Sequence, residues 1–177
     1  MEKRTADVVE ERPGAAVEDG QALTVLGHML EPGEPAPDFT LDHFDGAAMA
    51  PISLADLAGS VVVLNVVNSV DTPVCDIQTR RVDDLFPDAT VLTVSMDLPF
   101  ALARWTAAAG VTHPAVSSHR SEAFGRDYGV LIKEWRALQR SVFVIDRQGR
   151  LVHVQYVPDQ MHEPDYDVAV AAAASAR

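Results

Sequence analysis

Cys75 is the only cysteine of this chain, and the residues before it could make it reactive. Thr72 is a good helix N-cap, and Pro73 is well suited to the first helical position. Cys75 would then lie in the first helical turn, near unpaired backbone N–H groups and the positive end of the helix dipole. Such surroundings favour the thiolate, the nucleophilic form of a side chain whose pKa is about 8.5 when free. The pattern therefore allows a nucleophilic or redox-active thiol.

The residues alone leave a second interpretation of Cys75 open, because a lone cysteine commonly behaves as a small buried apolar side chain. Arg80 and Arg81 lie one to two helical turns downstream and would favour a thiolate. Asp71 and Asp76 would oppose it if they point the same way. A single cysteine also excludes an intramolecular disulfide and any Cys-x-x-Cys redox or zinc motif.

Two apolar runs on either side of Cys75 predict the elements that would position it. Residues 61–67 and 90–96 are rich in β-branched side chains and are typical of strands covered on both faces of an α/β sheet. The apolar residues between them recur at approximately helical spacing: Val74, Ile77, Val82, Leu85 and Phe86. Strand, helix and strand in this order predict a right-handed crossover and parallel pairing. Cys75 would follow the carboxyl end of the first strand, where ligands usually bind in such sheets.

The remaining segments predict a mixed central sheet flanked by helices, the thioredoxin-like α/β fold. Further helices are expected at 53–59, 99–110, 121–128 and from about residue 164 onward. Residues 141–146 and 151–157 alternate in polarity and are joined by a four-residue turn, which predicts a hairpin. Residues 1–20 are predicted to form an N-terminal arm or weak hairpin, and residues 21–177 a single domain.

Charge and composition exclude several classes of function. Among 177 residues, 26 are acidic and 14 basic, and the net charge of −12 argues against nucleic acid or an anionic membrane as partner. No apolar run is long enough to span a membrane, and the N-terminal residues are charged, so we expect a cytoplasmic protein without a signal peptide. The six histidines are scattered and no phosphate-binding glycine motif is present, so we expect neither a metal nor another cofactor.

One segment closely resembles the active-site motif of bacterial thiol peroxidases, a subgroup of the peroxiredoxin superfamily: Asp71-Thr72-Pro73-Val74-Cys75, followed by Gln78-Thr79-Arg80-Arg81. Other segments resemble the family in the same order along the chain: residues 36–41, 95–101, 124–130 and 163–166. The resemblance spans nearly the whole chain. It implies a thioredoxin-like fold, a homodimer, and an enzyme that reduces hydrogen peroxide and organic hydroperoxides without a cofactor.

The resemblance also implies roles for three residues. Cys75 would be the peroxidatic cysteine, which attacks the peroxide and becomes a sulfenic acid. Thr72 would hydrogen-bond the peroxide and orient the sulfur. Arg140 would hold the thiolate and polarise the peroxide by electrostatic stabilisation. Judged from the residues alone, Arg140 would be an ordinary charge at the start of a strand.

Two positions depart from the family pattern. Thr106 stands where the family usually has its resolving cysteine, so an external thiol such as thioredoxin would have to recycle Cys75. Asn68 replaces a proline that covers the reactive sulfur, and it could either bond within its loop or leave the sulfur more open. These departures keep two alternatives to the enzyme open: a peroxide sensor that passes the oxidation of Cys75 to a partner, and a binding protein that has kept only the fold.

Overall fold

The computed structural model describes residues 9–176. Its strands within that range are β1 Glu11–Glu18, β2 Gln21–Leu26, β3 Thr40–Leu41, β4 Ile52–Ser53, β5 Val62–Val66, β6 Thr90–Ser95, β7 Ala115–Ser117, β8 Leu131–Ile132, β9 Ala137–Leu138, β10 Ser141–Ile145 and β11 Leu151–Tyr156. Its α-helices are α1 Pro73–Leu85, α2 Pro99–Ala109, α3 Ala123–Asp127 and α4 Tyr166–Ser175.

A five-stranded mixed sheet, in the order β11-β10-β5-β6-β7, forms the centre of the molecule. Strands β5, β6 and β7 are parallel, whereas β10 pairs antiparallel with both β5 and β11. The predicted parallel pairing is confirmed, because α1 connects β5 to the parallel strand β6, while the right-handed sense of this crossover stays a prediction. The hairpin predicted near residues 141–157 is confirmed as β10 and β11.

Both faces of β5 are covered, as its continuous β-branched sequence predicts. Val62, Leu64 and Val66 pack on one face into a core that includes residues of α3. Val63 packs on the other face with Val82 of α1 and with alanines of α4. We call these the α3 face and the α1 face of the central sheet. The α1 face carries α1, α2 and α4, and it is the face on which Cys75 lies.

A second sheet, in the order β1-β2-β8-β9, contains the N-terminal hairpin. Asp19 and Gly20 form its two-residue turn, both with positive φ, the conformation that hairpin turns of this length favour. A hairpin is therefore present over residues 11–26, while residues 1–8 of the predicted arm lie outside the described residues. The division of the chain after residue 20 falls in this turn and stays a prediction.

Several predicted helices are shorter in the structure. The segment 53–59 contains only a single 3-10 turn, Ala55–Leu57, which Ser53 and Asp56 close by hydrogen-bonding each other's backbone N–H. The helix predicted over 121–128 is reduced to α3, and α4 begins after the N-cap Asp165 rather than at residue 164. Strands β7, β8 and β9 were not predicted, because two or three residues are too few to display a periodicity.

Candidate active site

Cys75 is the third residue of α1, and its side chain is fully buried. Thr72 occupies the N-cap position with an extended backbone, and Pro73 is the first helical residue, so the predicted start of the helix is confirmed. The side chain of Thr72 does not cap the helix, however. Its hydroxyl donates to the carbonyl of Ser69 at 3.0 Å. The sulfur therefore lies in the first turn of a helix, directly after a tightly folded loop.

Arg140 contacts the sulfur from the edge of β10. Its Nη1 lies 3.4 Å from Cys75 Sγ, although the two residues are 65 positions apart in sequence. The guanidinium is also fixed by Gln78 Oε1 at 2.6 Å and by the carbonyl of Gln160 at 2.7 Å. Arg140 is 1% exposed and its Nε has no hydrogen-bond partner among the described residues. A buried cation held this close to a thiol stabilises negative charge on the sulfur.

Asn68 bonds within the site rather than leaving it open. Its Nδ2 donates to the carbonyl of Leu138 at 2.6 Å and to Gln160 Oε1 at 3.0 Å. These two acceptors fix the amide so that Oδ1 faces Arg140 Nη2 at 3.4 Å and Cys75 Sγ at 3.8 Å. The sequence interpretation allowed Asn68 either to bond within its own loop or to leave the sulfur more open. Neither describes the structure: its partners Leu138 and Gln160 lie 70 and 92 positions away in sequence, and Cys75 stays buried.

Asp97 holds the loop that precedes Thr72. Its carboxylate accepts from Ser69 Oγ at 2.8 Å and from the backbone N–H of Val70 at 3.0 Å. Ser95, the last residue of β6, donates to the same carboxylate at 2.8 Å. Our sequence interpretation did not assign a role to Asp97. The available signal was its position just beyond the carboxyl end of a strand next to β5.

The charged side chains of Asp76, Arg80 and Arg81, which lie near Cys75 in sequence, bind groups other than its sulfur. Arg80 binds Asp76 at 3.0 Å, and Arg81 lies 3.4 Å from Glu163. Asp76 additionally accepts from the indole N–H of Trp105 at 3.1 Å. The expectation that Arg80 and Arg81 would assist the thiolate is therefore wrong. Helical spacing brings them onto an outer surface of α1, and the cation beside the sulfur comes from a different strand.

The buried face of α1 is more polar than its apolar spacing predicted. Its buried residues are Cys75, Gln78, Thr79 and Val82, whereas Ile77 is 46% exposed. Ile77, although it shares the helical spacing of the other apolar residues, is therefore not on the buried face of α1. The face of α1 that packs on the sheet is occupied by polar side chains that find hydrogen-bond partners there.

A cavity of about 460 Å³ adjoins the site. Polar groups of Asn68, Thr72 and Arg140 line one part of it. Apolar side chains line much of the rest: Pro73, Val74, Trp135, Ala137 and Met161. Since Asn68 and Arg140 line the cavity and both contact Sγ, the cavity lies next to the groups that surround the sulfur. Our sequence interpretation gave Trp135 and Met161 no place at the site.

Residues 32–154 match the family model described as AhpC/TSA family. The chain belongs to this family. It is 42% identical over 158 residues to the thiol peroxidase of Bacillus subtilis (strain 168), covering 87% of this chain and 93% of that protein. It is also 42% identical over 160 residues to the thiol peroxidase of Streptococcus sanguinis, covering 88% of this chain and 96% of that one.

Solved structures agree on the fold of this AhpC/TSA family member. A peroxiredoxin-like protein from Aquifex aeolicus superposes with a TM-score of 0.82 at 29% identity, covering 93% of this chain and 98% of that one. A thiol peroxidase from Chromobacterium violaceum superposes with a TM-score of 0.77 at 22% identity, covering 87% and 91% of the two chains. The predicted thioredoxin-like fold, the kinship with thiol peroxidases and the assignment to an enzyme class of peroxidases are therefore confirmed.

Thr106, where the resemblance implied a resolving cysteine in other members, is an ordinary helical residue of α2. Its hydroxyl donates to the carbonyl of Ala103 at 3.1 Å. Within residues 9–176 no cluster of histidine, cysteine and acidic side chains could hold a metal ion. None of the helices in the same range is long and apolar enough to cross a membrane.

Proposed function

We propose that this protein is a one-cysteine thiol peroxidase that reduces hydrogen peroxide and organic hydroperoxides at Cys75. The observation that carries the proposal is the contact of 3.4 Å between Arg140 Nη1 and Cys75 Sγ at the start of a helix. The cysteine could instead have been a simple apolar core residue. A buried guanidinium aimed at its sulfur argues for charge on that sulfur, because apolar packing requires no cation.

In the proposed reaction the thiolate of Cys75 attacks the terminal oxygen of the hydroperoxide. An S–O bond forms, the O–O bond breaks, and the leaving alkoxide or hydroxide takes up a proton to give alcohol or water. Sulfur is thereby oxidised to the sulfenic acid. Thr72 donates its hydroxyl proton to Ser69, so its oxygen is free to accept from the O–H of the peroxide. Arg140 stabilises the charge as it moves from sulfur to the leaving oxygen.

Because the chain has one cysteine, an external thiol completes the proposed cycle. The first thiol attacks the sulfenic sulfur, which releases water and leaves a mixed disulfide. A second thiol, in the same reductant or in another molecule, then displaces Cys75 as the free thiol. A dithiol protein such as thioredoxin supplies both groups. Thr106 cannot take this part, since a hydroxyl forms no disulfide.

A homodimer and a cytoplasmic location remain predictions. Leu98 and Phe100, at the start of α2, are 55% and 59% exposed, and the ring of Phe100 meets that of Phe44 at 5.1 Å between centroids. This apolar surface supports burial against a second copy. Trp105, further along α2, packs inside the protomer beside Cys75 and is not part of this surface. Sedimentation velocity of the wild type and of Phe100→Glu tests the dimer.

The first experiment is stopped-flow oxidation of the reduced protein by one equivalent of hydroperoxide, followed by dimedone trapping and intact-mass analysis. We expect Cys75 to trap as a sulfenic acid far faster than free cysteine does. Because no other cysteine is present, the mass shift identifies the site without peptide mapping. Cys75→Ser is the control and should consume no peroxide. A wild-type rate no higher than that of free cysteine would rule out the enzyme.

The absence of a second cysteine also favours an alternative, a peroxide sensor that is oxidised once and passes a mixed disulfide to a partner. The number of hydroperoxide molecules consumed per Cys75 distinguishes the enzyme from the sensor. An enzyme consumes many equivalents of hydroperoxide per Cys75 when thioredoxin and its reductase are supplied. A sensor reacts quickly once and then stops.

A further inference from the structure

A chain of buried polar side chains leads from Arg140 into the α1 face of the central sheet. Arg140 Nη1 donates to Gln78 Oε1, and Gln78 Nε2 donates in turn to Asn65 Oδ1. Asn65 Nδ2 donates to Thr93 Oγ1 at 2.9 Å. Asn65 and Thr93 are directly paired residues of β5 and β6, and both are fully buried. A row of hydrogen bonds thus crosses two strands beneath the helix that carries Cys75.

The row continues to the far end of α1. Thr93 Oγ1 lies 2.7 Å from His113 Nε2, and His113 Nδ1 lies 2.8 Å from Asp83 Oδ1. Asp83 also accepts from the backbone N–H of Thr112 and of His113. Although burial opposes it, these hydrogen bonds lower the pKa of Asp83, so its carboxylate stays ionised. The row begins at a buried cation and ends at an anion.

The protonation of His113 gives the row a single direction. An ionised carboxylate can only accept, so Nδ1 carries the proton that faces Asp83. Burial lowers the pKa of His113, although hydrogen bonding to Asp83 opposes this. The ring is therefore neutral, with Nε2 as an acceptor, and Thr93 donates to it. Every group from Arg140 to Asp83 donates to the next one, and hydrogen bonds aligned in this way polarise one another.

Apolar packing alone would not place polar side chains at the position of this row. It lies between two apolar clusters of the α1 face, one containing Val63 and Val82 and the other containing Val67 and Cys75. Polar groups in such a place are unfavourable unless each finds a partner. Among the described residues, the buried side-chain nitrogen and oxygen atoms of Gln78, Asn65, Thr93, His113 and Asp83 all have a partner, and in Arg140, where the row begins, only Nε lacks one. A polar row bonded in this way and beginning at the group that contacts the sulfur points to a part in the chemistry.

We propose that His113 and Asp83 are positioning residues for the reaction of Cys75, acting through Thr93, Asn65 and Gln78 on Arg140; this rests on the proposed function. The amide of Gln78 can present only its oxygen to Arg140, because its nitrogen is bound by Asn65. That oxygen and the sulfur share the same guanidinium nitrogen. If the row is broken, the nitrogen of the Gln78 amide loses its fixed acceptor, and the amide oxygen is no longer held firmly against Arg140. The guanidinium then shifts away from the sulfur.

Thr93 offers the most selective test, because Thr93→Val removes the hydroxyl at nearly constant volume and Thr93→Ser keeps it. Three quantities are measured on the full chain at one pH: the rate constant of Cys75 with hydrogen peroxide, its alkylation rate with iodoacetamide, and its thiolate absorbance at 240 nm, corrected with Cys75→Ser. We expect Thr93→Val to lower the peroxide rate constant roughly 3- to 30-fold, the range found for remote network residues. Thr93→Ser should return it close to the wild-type value.

Thr79→Val is the matched control. Thr79 is as fully buried as Thr93, but among the described residues its one side-chain hydrogen bond to the row is accepted from Asn65 Nδ2 at 3.4 Å, beside the row rather than along it. Its loss should leave all three quantities near those of the wild type. The proposal is overturned if folded Thr93→Val reacts like the wild type, or if Thr93→Ser or Thr79→Val is slowed as much as Thr93→Val, since packing would then explain the effect.

A second variant and two measurements that do not depend on peroxidase activity complete the test. If Thr93→Val does not fold, His113→Leu breaks the row nearer the surface, where the side chain is 9% exposed, and an unchanged rate there equally overturns the proposal. Alkylation and thiolate absorbance require no peroxidase activity. Failure of the wild type to react with peroxide therefore contradicts the proposed function, whereas equal alkylation of the wild type and Thr93→Val contradicts the row.

Discussion

The two faces of the central sheet are packed by different means. On the α3 face, aromatic rings interlock around Tyr128, which stacks on Phe124 at 4.5 Å and meets Phe143 edge-on at 5.2 Å between centroids. On the α1 face, α1 lies over a polar row that includes Gln78 and Asn65. Aromatic packing is insensitive to small electrostatic changes, whereas a buried polar row depends on every partner being present.

This difference assigns separate tasks to the two faces. The α3 face supplies stability through apolar burial, and Cys75 packs in a different apolar cluster. The α1 face places a cation, an amide and a helix start around one thiol, and it does so with groups that are unfavourable to bury. Substitutions on the first face should change the free energy of unfolding without changing reactivity. Substitutions on the second should change reactivity at constant fold.

Phe124→Ala should have the largest effect on stability. Its ring is 3% exposed and contacts both Tyr128 and Phe39, so its truncation leaves a cavity in the α3 face. We expect a loss of about 3 to 5 kcal/mol in the free energy of unfolding, measured by urea denaturation. The rate constant of Cys75 with peroxide, measured well below the unfolding transition, should stay at the wild-type value. A parallel fall in that rate constant would mean that the two faces are coupled.

Arg140→Gln should have the largest effect on reactivity. It removes the cation next to the sulfur and leaves Gln78 Oε1 without its donor. By analogy with the loss of one stabilising donor at a reacting centre, the peroxide rate constant should fall roughly 100- to 1,000-fold. Circular dichroism checks the fold, and Arg126→Gln is the control, since Arg126 binds Glu122 on α3, away from the sulfur. A fall of less than about tenfold would contradict the role of Arg140.

The sequence predicted the parts of this site that local patterns carry. The β-branched run of β5 and the Thr72-Pro73 start of α1 determine their own conformations, and both are confirmed. The contact of Arg140 with the sulfur joins residues 65 positions apart, and no spacing rule reaches that far, so only the family resemblance indicated it. Helical spacing also grouped Ile77 with the other apolar residues of α1 and gave no signal for Gln78, yet Ile77 is exposed and Gln78 is buried. Periodicity treats polar residues as solvent-facing, and it cannot foresee that neighbouring strands offer buried partners.

The pH dependence of stability should give the smallest effect, and it separates a contribution of His113 to stability from a contribution to reactivity. Burial lowers the pKa of His113 on the α1 face below the value of about 6.5 that an unfolded chain has. As the pH falls below about 6.5, the unfolded state therefore binds the proton more readily than the folded state, and the folded protein loses stability until the folded-state pKa is reached. One such group contributes at most about 1.4 kcal/mol per pH unit.

Urea denaturation at pH 7.5 and pH 5.5 measures this loss in the wild type and in His113→Gln. The variant should lose less stability between the two pH values, because its side chain at this position does not titrate. The pKa of His153 is likewise lowered by burial, and His153→Gln should remove a contribution of the same sign. The two variants should differ in reactivity. His113 lies in the row that leads to Arg140, so only His113→Gln should also slow the reaction of Cys75 with peroxide. Equal peroxide rate constants in the two variants would show that the row stabilises the α1 face without positioning the guanidinium.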